Sequence, residues 1–129
     1  MPITMISASL LGMLLLYLSN DVSNHRRRSK TSLGQGDDPA LLGAIRAQAN
    51  LIEYAPTGLI LIGLLEYASV NTLLVTGLAV ALVISRYIHG LTLARYKGPS
   101  VYRVVSTGLT WLVILVASIA GLIKGVSLL

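Results

Sequence analysis

The sequence predicts an all-α fold: an integral membrane four-helix bundle of up-down topology, built as a single domain over residues 1–129. Three observations predict it. Hydrophobic residues make up 54% of the chain and charged residues 12%, roughly half the usual share of a soluble domain. The apolar residues gather into four blocks, and a crossing helix needs about 20 of them. Backbone polar groups in lipid must be satisfied internally, and the alternating pattern of a membrane barrel is absent, so the blocks are helices. Their expected bounds are residues 3–24, 39–67, 71–95 and 100–124.

The first block, Ile3 to Leu18, has no basic residue before it and no cleavage-site pattern after it. Its cations follow, in His25-Arg26-Arg27-Arg28-Ser29-Lys30, so it reads as an uncleaved first helix with its N-terminus outside. Helix two starts at Asp38-Pro39, a good N-cap followed by proline at the first helical position, after a Gly34-Gln35-Gly36-Asp37 turn. Asn71 or Ser69 caps helix three, and Gly98-Pro99-Ser100 separates it from helix four. From Val104 to Ile123 helix four carries no charge. Trp111 is expected to fill packing space there, and the row Ala117, Gly121, Gly125 to permit close helix packing.

Loop cations set the direction. Arg26, Arg27, Arg28 and Lys30 lie in loop one, Arg95, Lys97 and Arg103 around loop three, and only Lys124 near the opposite end. The positive-inside rule places loops one and three in the cytoplasm and both termini outside. The Arg26–Lys30 cluster also suits anionic lipid headgroups. With 54% apolar content, the net charge of +5 favours a membrane surface over nucleic acid. The absence of cysteine excludes disulfides, thiolate metal sites and a cysteine nucleophile. Two isolated histidines make no metal site. There is no phosphate loop, Ser-His-Asp arrangement or dinucleotide fingerprint.

Helix two carries the informative residues. Arg46, Asn50 and Glu53 fall at i, i+4 and i+7 on one face, and ionisable groups within a span are costly. At about 1.5 Å per residue, Glu53 and Arg86 lie roughly 20 Å and 22 Å from the short turn between helices two and three. The expectation is that they pair or share a network. Arg46, Gln48, Asn50, Glu53, Arg86 and His89 are expected to converge toward one side, with Arg26 and Arg103 nearby. One reading is a structural network that sets helix register. The other is a cationic pocket for an anionic, peptide-like zwitterion, in which arginine holds carboxylates and Glu53 an ammonium. Pro56 either kinks the helix beside Glu53 or is one of the prolines that spanning helices tolerate.

The segment Arg46-Ala47-Gln48-Ala49-Asn50-Leu51-Ile52-Glu53-Tyr54-Ala55-Pro56 resembles the R-A-x-x-N-x-x-E-Y-x-P signature of the membrane-associated proteins in eicosanoid and glutathione metabolism, MAPEG. Arg86-x-x-His89-Gly90 is similar to helix three of its bacterial members. The resemblance implies a homotrimer in the inner membrane, with glutathione as cosubstrate bound between subunits and open to the cytoplasm. It implies glutathione-binding roles for Arg46, Asn50, Glu53 and Tyr54, for Arg26 or Arg27, and for Arg86 and His89, with Tyr87 as an alternative tyrosine. Arg103 is the counterpart of the arginine that stabilises the glutathione thiolate, since a guanidinium lowers a thiol's pKa. The implied activity is a glutathione transferase or peroxidase acting on lipophilic electrophiles or hydroperoxides from the bilayer. Leu91 and Leu93 depart from the family's helix-three tyrosines, which leaves a non-catalytic scaffold as an alternative. A small proton-coupled multidrug exporter is the third reading, and the Arg-Asn-Glu set argues against it.

Overall fold

The computed structural model describes residues 1–95 and 100–129. Four helices follow in order: α1 (Pro2–Ser29), α2 (Pro39–Tyr67), α3 (Thr72–Arg95) and α4 (Val101–Val126). Lys97 and the Gly98-Pro99 separator lie outside the described residues. α1 continues past the expected residue 24 to take Arg26, Arg27 and Arg28 into its last turn, where cations complement the helix dipole. The helices α1, α3 and α4 are each long and apolar enough to cross a membrane. α2 is the longest of the four at 29 residues, and the polar set from Arg46 to Glu53 keeps it out of that group.

Local chemistry explains the ends. Asp38 Oδ1 accepts the Ala40 amide at 2.9 Å, and Pro39 opens α2. Asn71 Oδ1 accepts from the Leu73 and Leu74 amides at 2.9 and 3.2 Å, so Asn71, and not Ser69, caps α3. Gly34 and Gly36 take positive φ values of 70° and 54° in the first loop, a conformation glycine adopts without steric cost. α1 has no side-chain cap of its own, and its first amides are met by a residue of α2. The Glu66 carboxylate accepts the Ile3 amide at 2.9 Å, the Thr4 amide at 2.8 Å and the Thr4 hydroxyl at 2.5 Å.

α2 and α3 form the centre of the bundle. Each packs against all the other helices, whereas α1 and α4 do not touch one another among the described residues. Lipid supplies little hydrophobic drive between helices, so close packing around small residues matters more. Ala44, Ala47 and Ala55 of α2 are buried. Gly58 sits so near Leu82 that an added Cβ would come 2.8 Å from its Cδ2. Leu14, Leu18, Leu51, Ile62 and Leu82 complete the core.

α4 departs from expectation. Trp111 is 59% exposed and does not fill the core, because the buried stripe of α4 runs through Ser106, Thr110, Val113 and Ala117. Of the small-residue row, Ala117 packs in the core, whereas Gly121 and Gly125 have nothing within 4 Å of an added Cβ. They line an open apolar groove of about 760 Å³ between the ends of α2 and α4.

Candidate functional site

The buried face of α2 is centred on Ala47, Leu51, Ala55 and Gly58. At about 100° per residue, Asn50 falls at the edge of that face and Glu53 about 60° further round, outside it. This rotation decides which polar residue enters the bundle. Arg86, 1% exposed on α3, donates from one guanidinium nitrogen to Asn50 Oδ1 at 2.6 Å and from the other to the Ser106 carbonyl of α4 at 3.3 Å. Its Cζ stands 5.5 Å from the centre of the Tyr54 ring, within cation–π range. The Arg86 Nε is buried without a hydrogen-bond partner.

Glu53 therefore does not pair with Arg86 within the chain. The two are at similar depth, as counted along the helices, but Glu53 points outward. Its partner is Arg46, at 3.7 Å, and both side chains are about half exposed, at 53% and 50% for Arg46 and Glu53. The six residues expected to converge on one side separate into three directions. Gln48 turns to α1, where its amide donates to Ser19 Oγ at 2.8 Å. Arg46 and Glu53 face out. Asn50, Arg86 and His89 face in.

The interior group joins α2 and α3, and the Ser106 carbonyl ties it to α4. His89, 5% exposed, lies close enough to Arg86 and Arg103 for both cations to act on it electrostatically. Among the described residues no carboxylate pairs with Arg86, whose charge is met by an amide oxygen, a backbone carbonyl and a ring face. A buried cation held only by neutral acceptors favours an incoming anion. The remaining sequence-derived candidates are engaged locally. Arg26 donates to the carbonyls of Gly34 at 2.9 Å, Ser32 at 3.4 Å and Thr31 at 3.5 Å and so organises the first loop. Arg27 meets Asn24 at 3.0 Å, and the Tyr87 hydroxyl donates to the Leu10 carbonyl of α1 at 2.9 Å. No group of residues able to hold a metal ion occurs among the described residues.

Sequence reasoning missed three hydroxyls beside this cluster. Ser85 and Thr110 are fully buried and 2.8 Å apart, and Ser106 is 2% exposed. The signal was present: Ser106 and Thr110 stand at i and i+4 in an otherwise apolar span, and Ser85 precedes Arg86. Attention to charge alone passed them over.

The MAPEG family model matches residues 4–123, a stretch that takes in the Arg46–Pro56 motif, the buried cluster and nearly the whole of the four helices. The chain belongs to the MAPEG family. It is therefore an integral membrane four-helix protein, and α2 crosses with the other three despite its polar residues. Comparison with curated proteins gives no match. Within this MAPEG chain the signature residues do two kinds of work. Asn50 and Tyr54 support Arg86 inside the bundle, while Arg46 and Glu53 form a pair on its surface.

Proposed function

We propose that this MAPEG protein is a glutathione-dependent transferase or peroxidase acting on lipophilic electrophiles or hydroperoxides that reach it from the bilayer. The observation that carries the reading is the half-exposed Arg46–Glu53 pair on α2, one turn from Asn50 and the buried Arg86. Charges facing hydrocarbon are expensive, so a face carrying both signs calls for a polar guest and a covering surface. Glutathione offers carboxylates for Arg46 and Arg86 and an ammonium for Glu53. A second copy of the chain supplies the cover, in a homotrimer with the ligand between subunits.

In this reading Arg46, Asn50, Glu53, Tyr54, Arg86 and His89 bind glutathione, with Arg26 or Arg27 and Tyr87 contributing from a neighbouring subunit or at the site's edge. Arg103, in the first turn of α4, is the residue beside the sulfur. A guanidinium there stabilises the thiolate over the thiol at neutral pH, and the thiolate attacks the electrophile. The protein sits in an inner membrane, with loops one and three in the cytoplasm and both termini outside. Leu91 and Leu93, which stand in place of the family's tyrosines, favour a second reading: a binding protein that keeps the glutathione site without turnover.

Titrating the purified protein with glutathione while following thiolate ultraviolet absorbance tests the proposal. Binding with thiolate formation that is lost in Arg103→Ala, together with conjugation of an aryl halide or reduction of a lipid hydroperoxide, is the expected result. Binding without turnover of either substrate class selects the second reading. No binding rejects both.

A further inference from the structure

The interface between α3 and α4 holds a chain of buried hydroxyls that the proposed activity does not itself require. Ser85 Oγ donates to the Leu82 carbonyl at 2.8 Å and lies 2.8 Å from Thr110 Oγ1. Thr110 Oγ1 in turn lies 3.0 Å from the Ser106 carbonyl, and Ser106 Oγ donates to the Arg103 carbonyl at 3.1 Å. The Ser106 carbonyl also receives Arg86. One backbone oxygen thus joins the hydroxyl chain to the guanidinium, and the same helical turn carries Arg103.

We propose that Ser85 and Thr110 are positioning residues for the anion site: their interhelical contact fixes the rotation of α4 against α3, and with it the spacing of Arg86 and Arg103. The inference rests on the glutathione reading for its consequence and on the buried geometry for its cause. Both hydroxyls are 0% exposed, and each has a carbonyl of its own helix within reach. Ser85 spends its proton on the Leu82 carbonyl, so the proton of the interhelical contact comes from Thr110 Oγ1, which has the Ser106 carbonyl as its local alternative. What the contact adds is direction. Without it, the α3–α4 seam at this level keeps the Arg86 bond to the Ser106 carbonyl and otherwise apolar surfaces, which slide and rotate more freely than a hydrogen-bonded pair. Two arginines that must reach one ligand are sensitive to such rotation, because misplacement of polar groups weakens charge-assisted hydrogen bonds steeply.

The substitution Thr110→Val removes the hydroxyl, keeps the branched shape and leaves Ser85 bonded to Leu82. Thr110→Ser restores the hydroxyl, and Ser85→Ala breaks the same contact from the other side if the valine variant folds poorly. Glutathione binding is expected to weaken about three- to tenfold in Thr110→Val, with the apparent thiol pKa of bound glutathione raised by roughly half a unit to one unit, and both recover in Thr110→Ser. Trp111, the one tryptophan of the chain, adjoins Thr110 on the exposed side of α4 and reports its rotation through quenching by brominated lipid. Its quenching is expected to change in Thr110→Val and Ser85→Ala and to return in Thr110→Ser. Wild-type titration in both variants overturns the proposal. So does loss of binding shared by Thr110→Ser, which would make the site a matter of bulk alone. Should the wild-type protein bind no glutathione, the proposed function fails, and positioning is then decided by Trp111 quenching alone.

Discussion

Glu66 and Glu53 stand on the same helix and face opposite circumstances. Glu66, with 10% of its side chain exposed, binds two backbone amides and a hydroxyl of α1. It completes a helix end that has no cap of its own. Glu53 is half exposed, and its only ionic partner among the described residues is a half-exposed arginine at 3.7 Å. The first carboxylate is used up within the chain. The second is available. The difference teaches that a charge in a membrane helix reveals its role by how fully its own chain satisfies it. Arg86 falls between: it is buried and bonded to Asn50 and Ser106, yet its Nε lacks a partner.

Mutations sharpen this contrast, and the largest effect on the fold is expected at Asn50. Replacing it with leucine takes the closest acceptor from a guanidinium that is 1% exposed, and should cost about 2 kcal/mol of stability, read by denaturation in detergent. An unchanged denaturation midpoint would mean that Arg86 finds water or another acceptor. Glu66→Ala comes next. Uncapping α1 should lower the melting temperature by several degrees while leaving glutathione affinity within about twofold of wild type, as measured by calorimetric titration. A large loss of affinity without loss of stability would reverse the assignment of the two glutamates. Gly58→Ala should cost roughly 1 kcal/mol, because its Cβ meets the flexible end of Leu82 across the central α2–α3 seam. Glu53→Gln should change stability least, within about 0.5 kcal/mol, since its exposed ion pair contributes little to the fold. The same variant should weaken glutathione binding by tenfold or more. If Glu53→Gln instead unfolds the protein, the carboxylate is structural and the outward face is no ligand surface.

The depth of each polar residue was legible in the sequence, and its direction was not. Counting the helical rise placed Glu53 level with Arg86, and the contact Arg86 makes lies only one turn away, at Asn50. The error was rotational. A stripe at i, i+4 and i+7 spans about 60° of helix surface, enough for Asn50 at one edge to enter the bundle while Arg46 and Glu53 stay out. Trp111 shows the same limit, since a large apolar side chain suits a core and a lipid-facing surface equally well. Gln48 shows it again: a polar residue among apolar ones announces that it has a partner, and Ser19 becomes that partner only once α1 lies alongside.

By itself the sequence determined the four helices, the start of α2 and the membrane environment, while α1 ran past its expected end. These follow from local quantities: the length of apolar runs, Asp38-Pro39 and Asn71 at helix starts, and Gly34 and Gly36 in the first loop. The family motif in α2 was likewise readable residue by residue. Only the tertiary structure decided that Arg86 belongs to Asn50 and Ser106, that Glu66 closes α1, and that Ser85 meets Thr110. Each of these contacts joins different helices and depends on how one helix is turned against the next. That rotation is set by packing around small residues such as Ala47 and Gly58, a property of two surfaces together that neither strand of sequence carries alone.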